Sequence, residues 1–339
     1  MKGKKLRLLS KRLSFRRKPE SSWPISLFWI PAFAGMTILM GFIGLPCVYG
    51  AGTTAGETLI QSVSARAQAM GEAYSSIPAN EGGVLTYHYN PAALGFSNSM
   101  ETEFTFRRGV ADDNFAVLAL GYPSRMGKFA GTLLYYSVGT IDLITTAGSV
   151  RSVKAQKDLV AVLTYSHLLW NNFSWGINGK FLRSELVESF TANAFAADVG
   201  AQYKIMNVVL GAAVQNTGTA LKYNKTSDPL PLTFRSGLSY RKEWSNDYKG
   251  IAAFDLMKRQ GENPKVGLGL EYSINGTVLP HQSELALRAG YRMGEENGKI
   301  SFGLGFNIDH YRMDYAMQLM DNSGSSHLVT FGFVFGNSN

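Results

Sequence analysis

The sequence predicts an all-β protein: a transmembrane antiparallel β-barrel of about 14 strands, with an N-terminal hatch or plug segment in its lumen. Three observations carry that prediction. Behind residue 99, apolar and polar residues alternate with period two in one stretch after another. These stretches run about 9–12 residues, longer than the strands of most globular sheets and close to what a tilted strand needs to cross a bilayer. Mean hydropathy is close to zero although 45% of the residues are hydrophobic, as expected when apolar outward and polar inward positions alternate.

The N-terminus reads as a targeting segment, residues 1–50. Nine Lys and Arg precede residue 19 and only Glu20 opposes them. An apolar run over residues 26–46 follows, then Cys47 and small residues through Gly52. That is the layout of a signal peptide, with cleavage placed near Gly50 or Ala51, or of an uncleaved signal anchor. The leader is long, so Met36 or Met40 is an alternative start, with the preceding residues a repeat-derived extension. Removing the nine bases and one acid from the totals of 33 and 25 leaves 24 of each sign. The net charge of +8 therefore resides in the leader, and no nucleic-acid partner is expected. Cys47 is the only cysteine, which fits a body that leaves the cytoplasm.

Residues 99–339 supply the barrel. Strands are expected at 99–110, 114–124, 128–142, 158–169, 173–185, 191–205, 207–217, 230–242, 247–258, 264–275, 282–293, 299–308, 311–321 and 325–335. The clearest is 264–274, where Val266, Leu268, Leu270, Tyr272 and Ile274 alternate with Lys265, Gly267, Gly269, Glu271 and Ser273. Phe302, Leu304 and Phe306 do the same against Ser301, Gly303 and Gly305. An even count suits a closed antiparallel barrel. Odd connections include the longest, 143–157 and 218–229, and even ones the shortest, 170–172, 206 and 309–310. Long external loops alternating with short periplasmic turns are the pattern of bacterial outer-membrane barrels, so that membrane is the expected location and its lipid the first partner.

Residues 51–98 carry no strand period. Small residues (Ala65, Ala67, Ala69, Gly71, Ala73) permit close packing on a wall, while Gly82-Gly83 and Asn90-Pro91 turn the chain. A disordered tail would be poorer in residues such as Tyr74, Leu85, Tyr87, Tyr89 and Leu94. A barrel of eight strands is filled by its own side chains, and one of sixteen leaves a channel. At fourteen the lumen needs a filling, so this segment is expected to be a hatch.

The segment also carries a resemblance. "ARAQAMGEAY" followed by "YHYNPAAL" resembles the N-terminal signature of the PorV/PorQ family, within the wider class similar to the FadL long-chain fatty-acid transporter. The matching residues are Arg66, Met70, Gly71, Ala73, Tyr74, Asn90, Pro91, Ala92 and Leu94. The sequence departs from the pattern at Asn80-Glu81, where an acidic pair is usual. It departs also at Phe335, which stands four residues before the chain end instead of closing it as a signal to the barrel-assembly machinery. The resemblance implies a 14-stranded barrel with an inner hatch. It further implies either passive uptake of a hydrophobic small-molecule ligand or a type IX secretion role with secreted client proteins; a purely structural barrel is the remaining alternative.

Catalytic chemistry is not indicated, so neither an enzyme nor a cofactor is expected. The histidines, His88, His167, His281, His310 and His327, show no metal-ligand spacing. Asp309-His310 reads as a turn, and Gly267/Gly269 and Gly303/Gly305 as small lumen-facing positions without the strand-to-helix context of a phosphate loop. The remaining candidates are lumen-facing charges: Lys265, Glu271, Glu284, Arg288, Arg292, Arg312 and Asp314. They read as an ion-pair network holding the hatch, or as a polar rim around a ligand passage.

Overall fold

The computed structural model describes residues 54–109, 113–144, 150–187, 189–223, 226–275, 283–321 and 324–335. All lie in the unit Cys47–Asn339. The leader, Cys47 and His281 fall outside the described residues.

Fourteen antiparallel strands close into one barrel. In chain order they are β1 (Met100–Arg108), β2 (Asn114–Ser124), β3 (Gly127–Ile144), β4 (Val150–Leu169), β5 (Phe173–Leu186), β6 (Phe190–Ile205) and β7 (Val208–Gly218). A short hairpin, β8 (Leu221–Tyr223) and β9 (Thr226–Asp228), interrupts the series. The barrel resumes with β10 (Thr233–Glu243), β11 (Tyr248–Arg259), β12 (Lys265–Asn275), β13 (Glu284–Met293), β14 (Ile300–Ile308), β15 (Tyr311–Met320) and β16 (Gly324–Phe335). Each barrel strand pairs with its chain neighbour, and β1 pairs β16 from Met100 against Phe335. Closure leaves no free sheet edge.

Period two dictates which side chains face out. Phe104, Leu118, Leu133, Leu163, Phe195, Leu270, Leu304 and Phe331 are exposed on the outer face. Glu103, Thr105, Asn178, Asp255, Glu271 and Asp314, at the opposite parity, are buried. Trp170, Trp244, Tyr122 and Tyr311 stand exposed at one rim, beside the short turns, as an aromatic girdle requires. That rim is called the turn end here, and the opposite rim the loop end. Asp309-His310 forms a two-residue turn, with Asp309 at φ 51°.

The two longest strands correct one expectation. Residues 143–157 are not a loop: β3 runs to Ile144 and β4 starts at Val150. At 18 and 20 residues these strands exceed the crossing length of about 9–11. The extension escaped the period-two rule because "VRSVKAQK" carries polar residues at both parities, Ser152 and Lys154 on one and Arg151 and Lys157 on the other. The 218–229 connection likewise contains the β8–β9 hairpin.

Residues 54–99 form no strand. They fold as short helices, α1 (Ala65–Ala69) and α2 (Ala79–Gly82), and 3-10 turns at Glu57–Ile60, Val84–His88 and Pro91–Phe96. The helices are short because Gly71, Pro78, Gly82-Gly83 and Pro91 punctuate the segment. Asn90 starts the last turn, its side chain accepting from the Ala92 N–H at 3.1 Å, with Pro91 as first residue. Nearly all of Val63–Ser97 is buried; Asn80 is its one exposed residue.

Candidate functional site

The site is the contact between residues 54–98 and the inward side chains of the barrel. Short helices leave many backbone groups without an internal partner, and burying them unpaired is costly. Polar wall residues supply the partners from all around the lumen. Thr330 accepts from the Ala65 N–H at 2.9 Å, Asp255 from Ser75 at 2.9 Å and Glu103 from Leu85 at 2.8 Å. In the other sense Ser174 donates to Ala92 O at 2.7 Å, Asn178 to Tyr87 O at 3.1 Å and Gln215 to His88 O at 2.6 Å. Asn90 itself donates to Ser75 O (2.9 Å) and to Ala201 O on β6 (3.0 Å), bracing the segment against itself and the wall.

The β12–β14 wall is nearly bare backbone opposite α1. A Cβ on Gly290 would stand 2.1 Å from Gly71 N, one on Gly269 2.6 Å from Met70 O, and one on Gly303 2.4 Å from the Ala69 Cβ. Gly71 itself has φ 62°, and a Cβ there would meet Leu268 O at 2.6 Å. The strand glycines make room for the small residues of the segment, and Met70 and Tyr74 are fully buried behind them.

Charges close the same contact. Arg66, on α1, donates to Glu271 on β12 at 2.7 Å. Arg288 joins Glu271 at 2.6 Å and Asp314 at 2.6 Å. Arg312 joins Glu101 at 2.8 Å and Glu103 at 3.1 Å. Arg66 also donates to the Glu81 carbonyl, and the Tyr74 hydroxyl donates to Gly82 O at 2.8 Å, so α1 and α2 are tied together. Burial works against the Arg66 charge, yet Glu271 holds the guanidinium above its ordinary range. Burial pushes the Tyr74 and Tyr87 hydroxyls up. Burial, aided by the Lys180 charge, lowers His88 to about 3, so His88 is a neutral acceptor or donor to Thr132 at 3.1 Å.

Each candidate from the sequence thus has a place. Arg66, Met70 and Gly71 line the β12–β14 wall and Tyr74 packs within the segment on Tyr89 and Gly82, whereas Asn90, Pro91 and Ala92 pack on the β4–β6 side and Leu94 lies beside Gly121 of β2. Glu271, Arg288, Asp314 and Arg66 form one cluster. Glu284 pairs with Lys249 at 2.8 Å. Lys265 and Arg292 stand apart at the loop end, with Glu262 (2.7 Å) and Glu295 (3.0 and 3.9 Å). Sequence reasoning passed over Asp255, Glu101, Glu103, Arg241 and the buried Lys180–Asp198 pair at 2.8 Å. Their inward parity was the available signal.

A second inner surface is apolar. Leu134, Val160, Val162, Leu182, Ala192 and Ala194 on β3–β6 belong to one cluster with Leu221 and Leu230 from the β7–β10 connection. Ala55 and Leu59 pack against it, and the Gly56 backbone sits among Leu182, Leu221 and Leu230. The Ala55 N–H donates to Pro229 O at 2.9 Å and Thr58 donates to Asp158. The first described residues thus lie on this surface, toward the loop end.

No family model matches the chain, and no curated protein matches it by sequence. Solved structures share the fold. The Pseudomonas putida toluene transporter TodX is 13% identical over 81% of this chain and 98% of its own, with a TM-score of 0.54. The Ralstonia pickettii toluene transporter TbuX is 11% identical over 80% and 98%, TM-score 0.51. CymD, a monoaromatic hydrocarbon channel, is 12% identical over 82% and 99%, TM-score 0.50. At such identities the likeness is one of fold.

Proposed function

We propose that this chain is an outer-membrane barrel that passes hydrophobic small molecules without energy input, with residues 54–98 as its hatch. The observation that carries the reading is the apolar surface inside the lumen on β3–β6. Water-filled barrels have polar interiors, and an inward cluster of Leu and Val serves a ligand that itself avoids water. The shared fold with toluene transporters and a monoaromatic hydrocarbon channel supports the same class of cargo.

On this reading the loop end faces outside and the turn end faces the periplasm. Ligand enters under the β8–β9 hairpin and displaces Ala55–Ile60 from Leu182, Leu221 and Leu230. The hatch then stands between the ligand and the periplasm. Arg66, Met70 and Gly71 anchor it to β12–β14, with Glu271, Arg288 and Asp314 as the charged support; Tyr74 braces it internally at Gly82, and Asn90, Pro91, Ala92 and Leu94 seat its other half. The likeness to PorV/PorQ supplies the secretion reading; its specific motifs lie in residues 66–94 and only the less specific strand pattern carries it on to residue 335, and the apolar surface favours small-molecule passage.

The test is toluene uptake by liposomes holding the refolded protein. Entry faster than into protein-free liposomes, and slower through Leu182→Gln, is the expected result. Equal rates for all three refute the channel.

A further inference from the structure

The outer face of the barrel carries a polar cluster of defined geometry near the loop end. On β16, Ser325, His327 and Val329 share the face of the exposed Phe331. On β15, Tyr315 shares the face of the exposed Met313 and Leu319. His327 Nε2 stands 2.7 Å from Ser325 Oγ, and its Nδ1 stands 2.6 Å from the Tyr315 hydroxyl. The Tyr315 and His327 rings are stacked, with centroids 5.9 Å apart. One ring nitrogen thus meets a hydroxyl that can act as a nucleophile, and the other meets a group that fixes the ring. When Nδ1–H donates to the Tyr315 oxygen, Nε2 is left to accept from Ser325. That is the arrangement a general base needs.

The backbone beside the pair is set as well. The Val334 N–H donates to His310 O on the β15 side. Amide direction alternates along a strand, so the Ser325 and His327 N–H groups point the other way, toward β1. The β1–β16 ladder ends at Phe106 and Val329, short of both. These N–H groups therefore lie outside that ladder, next to the nucleophile, where an oxyanion calls for donors.

The depth suits a lipid ester. Ser325 and His327 are ten and eight positions from Phe335 at the turn end. At about 3.4 Å per residue and a tilt of about 40°, that is about 20–26 Å along the membrane normal. An outward apolar band about 25 Å tall ends there, at the level where lipid ester groups meet water. Phe104, Phe106 and Phe331, exposed on β1 and β16 toward the turn end, offer a bed for an acyl chain.

We propose that Ser325, His327 and Tyr315 form a lipid-facing site that hydrolyses acyl esters of membrane lipids. His327 Nε2 takes the Ser325 proton as Oγ attacks the ester carbonyl carbon. The tetrahedral intermediate collapses, the carbon–oxygen bond to the lipid alcohol breaks, and the alcohol leaves with the proton from His327. Water, deprotonated by His327 in turn, cleaves the acyl-Ser325 ester and releases a fatty acid. Tyr315 is a positioning residue: it holds the imidazole and does not touch the lipid. Residue spacing did not indicate this chemistry, because Ser325 and His327 share a face of β16 while Tyr315 comes from the neighbouring strand.

Refolded wild type, Ser325→Ala, His327→Asn and Tyr315→Phe are placed in phosphatidylethanolamine vesicles and, separately, in vesicles containing lipopolysaccharide. Free fatty acid is measured against protein-free controls, and heat-modifiable gel mobility reports the folded barrel. Wild type should release fatty acid from at least one lipid, and that lipid identifies the substrate. Release should fall at least about 100-fold in Ser325→Ala and in His327→Asn. In Tyr315→Phe kcat should fall about tenfold with KM unchanged; an unchanged kcat removes Tyr315 from the site. Toluene uptake should stay at the wild-type rate in all three variants, since none of these side chains faces the lumen, so this site and the channel reading fail separately. Wild-type release equal to the protein-free controls with both lipids, or undiminished in folded Ser325→Ala, overturns the proposal and leaves a cluster that only ties β15 to β16.

Discussion

Two walls of the same barrel do opposite things with their inward positions. The short wall, β12–β15, has strands of 9–11 residues and presents glycine and charge: Gly269, Gly290 and Gly303 beside Glu271, Arg288 and Asp314. The long wall, β3–β6, has strands of 14–20 residues and presents aliphatic side chains toward the loop end. Glycine lets backbones touch, and buried ion pairs lose heavily when one partner goes. The short wall is therefore an anchor. The long wall bonds the segment as well, through Ser174 and Asn178, but its aliphatic patch at Leu182 and Val160 makes no directional bonds of its own, so what covers that patch is held less tightly. One lumen holds a charged, glycine-lined support and an aliphatic lining.

The anchor breaks hardest at Arg288. Truncation to Ala leaves Glu271 and Asp314, each at most 2% exposed in the side chain, without their shared cation. Unfolding in urea should report a loss of about 3–5 kcal/mol. The Leu182→Ala change on the opposite wall removes aliphatic contacts alone; it should cost about 2–3 kcal/mol, the low end for core Leu, because the Gly56 region relaxes into the space. If Leu182→Ala costs more than Arg288→Ala, the division of labour between the walls is wrong.

Gly290→Val sharpens the comparison from the steric side. Its Cβ would stand 2.1 Å from Gly71 N, whereas a Cβ on Gly179 of β5 meets nothing within 4 Å. The first change should cost about 1–3 kcal/mol, and Gly179→Val no more than about 0.5 kcal/mol. Protease sensitivity of residues 63–97 should rise in the first variant only.

How much of this was legible follows from the physics of period two. Every barrel strand was legible, because alternation writes inside and outside into adjacent positions. The inner face was legible as a set of charges, Glu271, Arg288, Arg312 and Asp314 among them, since parity alone places them. Their partners were not, because Arg66 and Glu271 are 205 positions apart and no local rule links them. The first eight residues of β4 were hidden for another reason: Lys and Arg stand at both parities there, so no period-two face shows. Lys265 and Arg292 shared the parity of the cluster but not its depth. Lys265 opens β12 and Arg292 is next to last in β13, so distance from the strand end, which the sequence does hold, separates them from the buried cluster. The apolar lining was the hardest to read, because Leu182 and Val160 lie on the face that elsewhere carries Glu and Asp, and an inward aliphatic residue looks like a slip of register.

The smallest effect tests the seam between the two walls, at His88, which faces Thr132 on β3 while its carbonyl accepts from Gln215 on β7. Burial lowers its pKa to about 3, against an unfolded value of about 6.5. The folded state thus favours neutral His88. The stability this provides is complete above about pH 6.5 and is lost as the pH falls toward 3, since the unfolded chain gains a proton that the folded one refuses. Wild type should lose about 1 kcal/mol more than His88→Gln between pH 7 and 5.5, read from urea midpoints at each pH. Equal losses would mean that the imidazole reaches water through the aliphatic side of the lumen, and the seam between anchor and lining would then have to be drawn nearer to Tyr87 and Asn178.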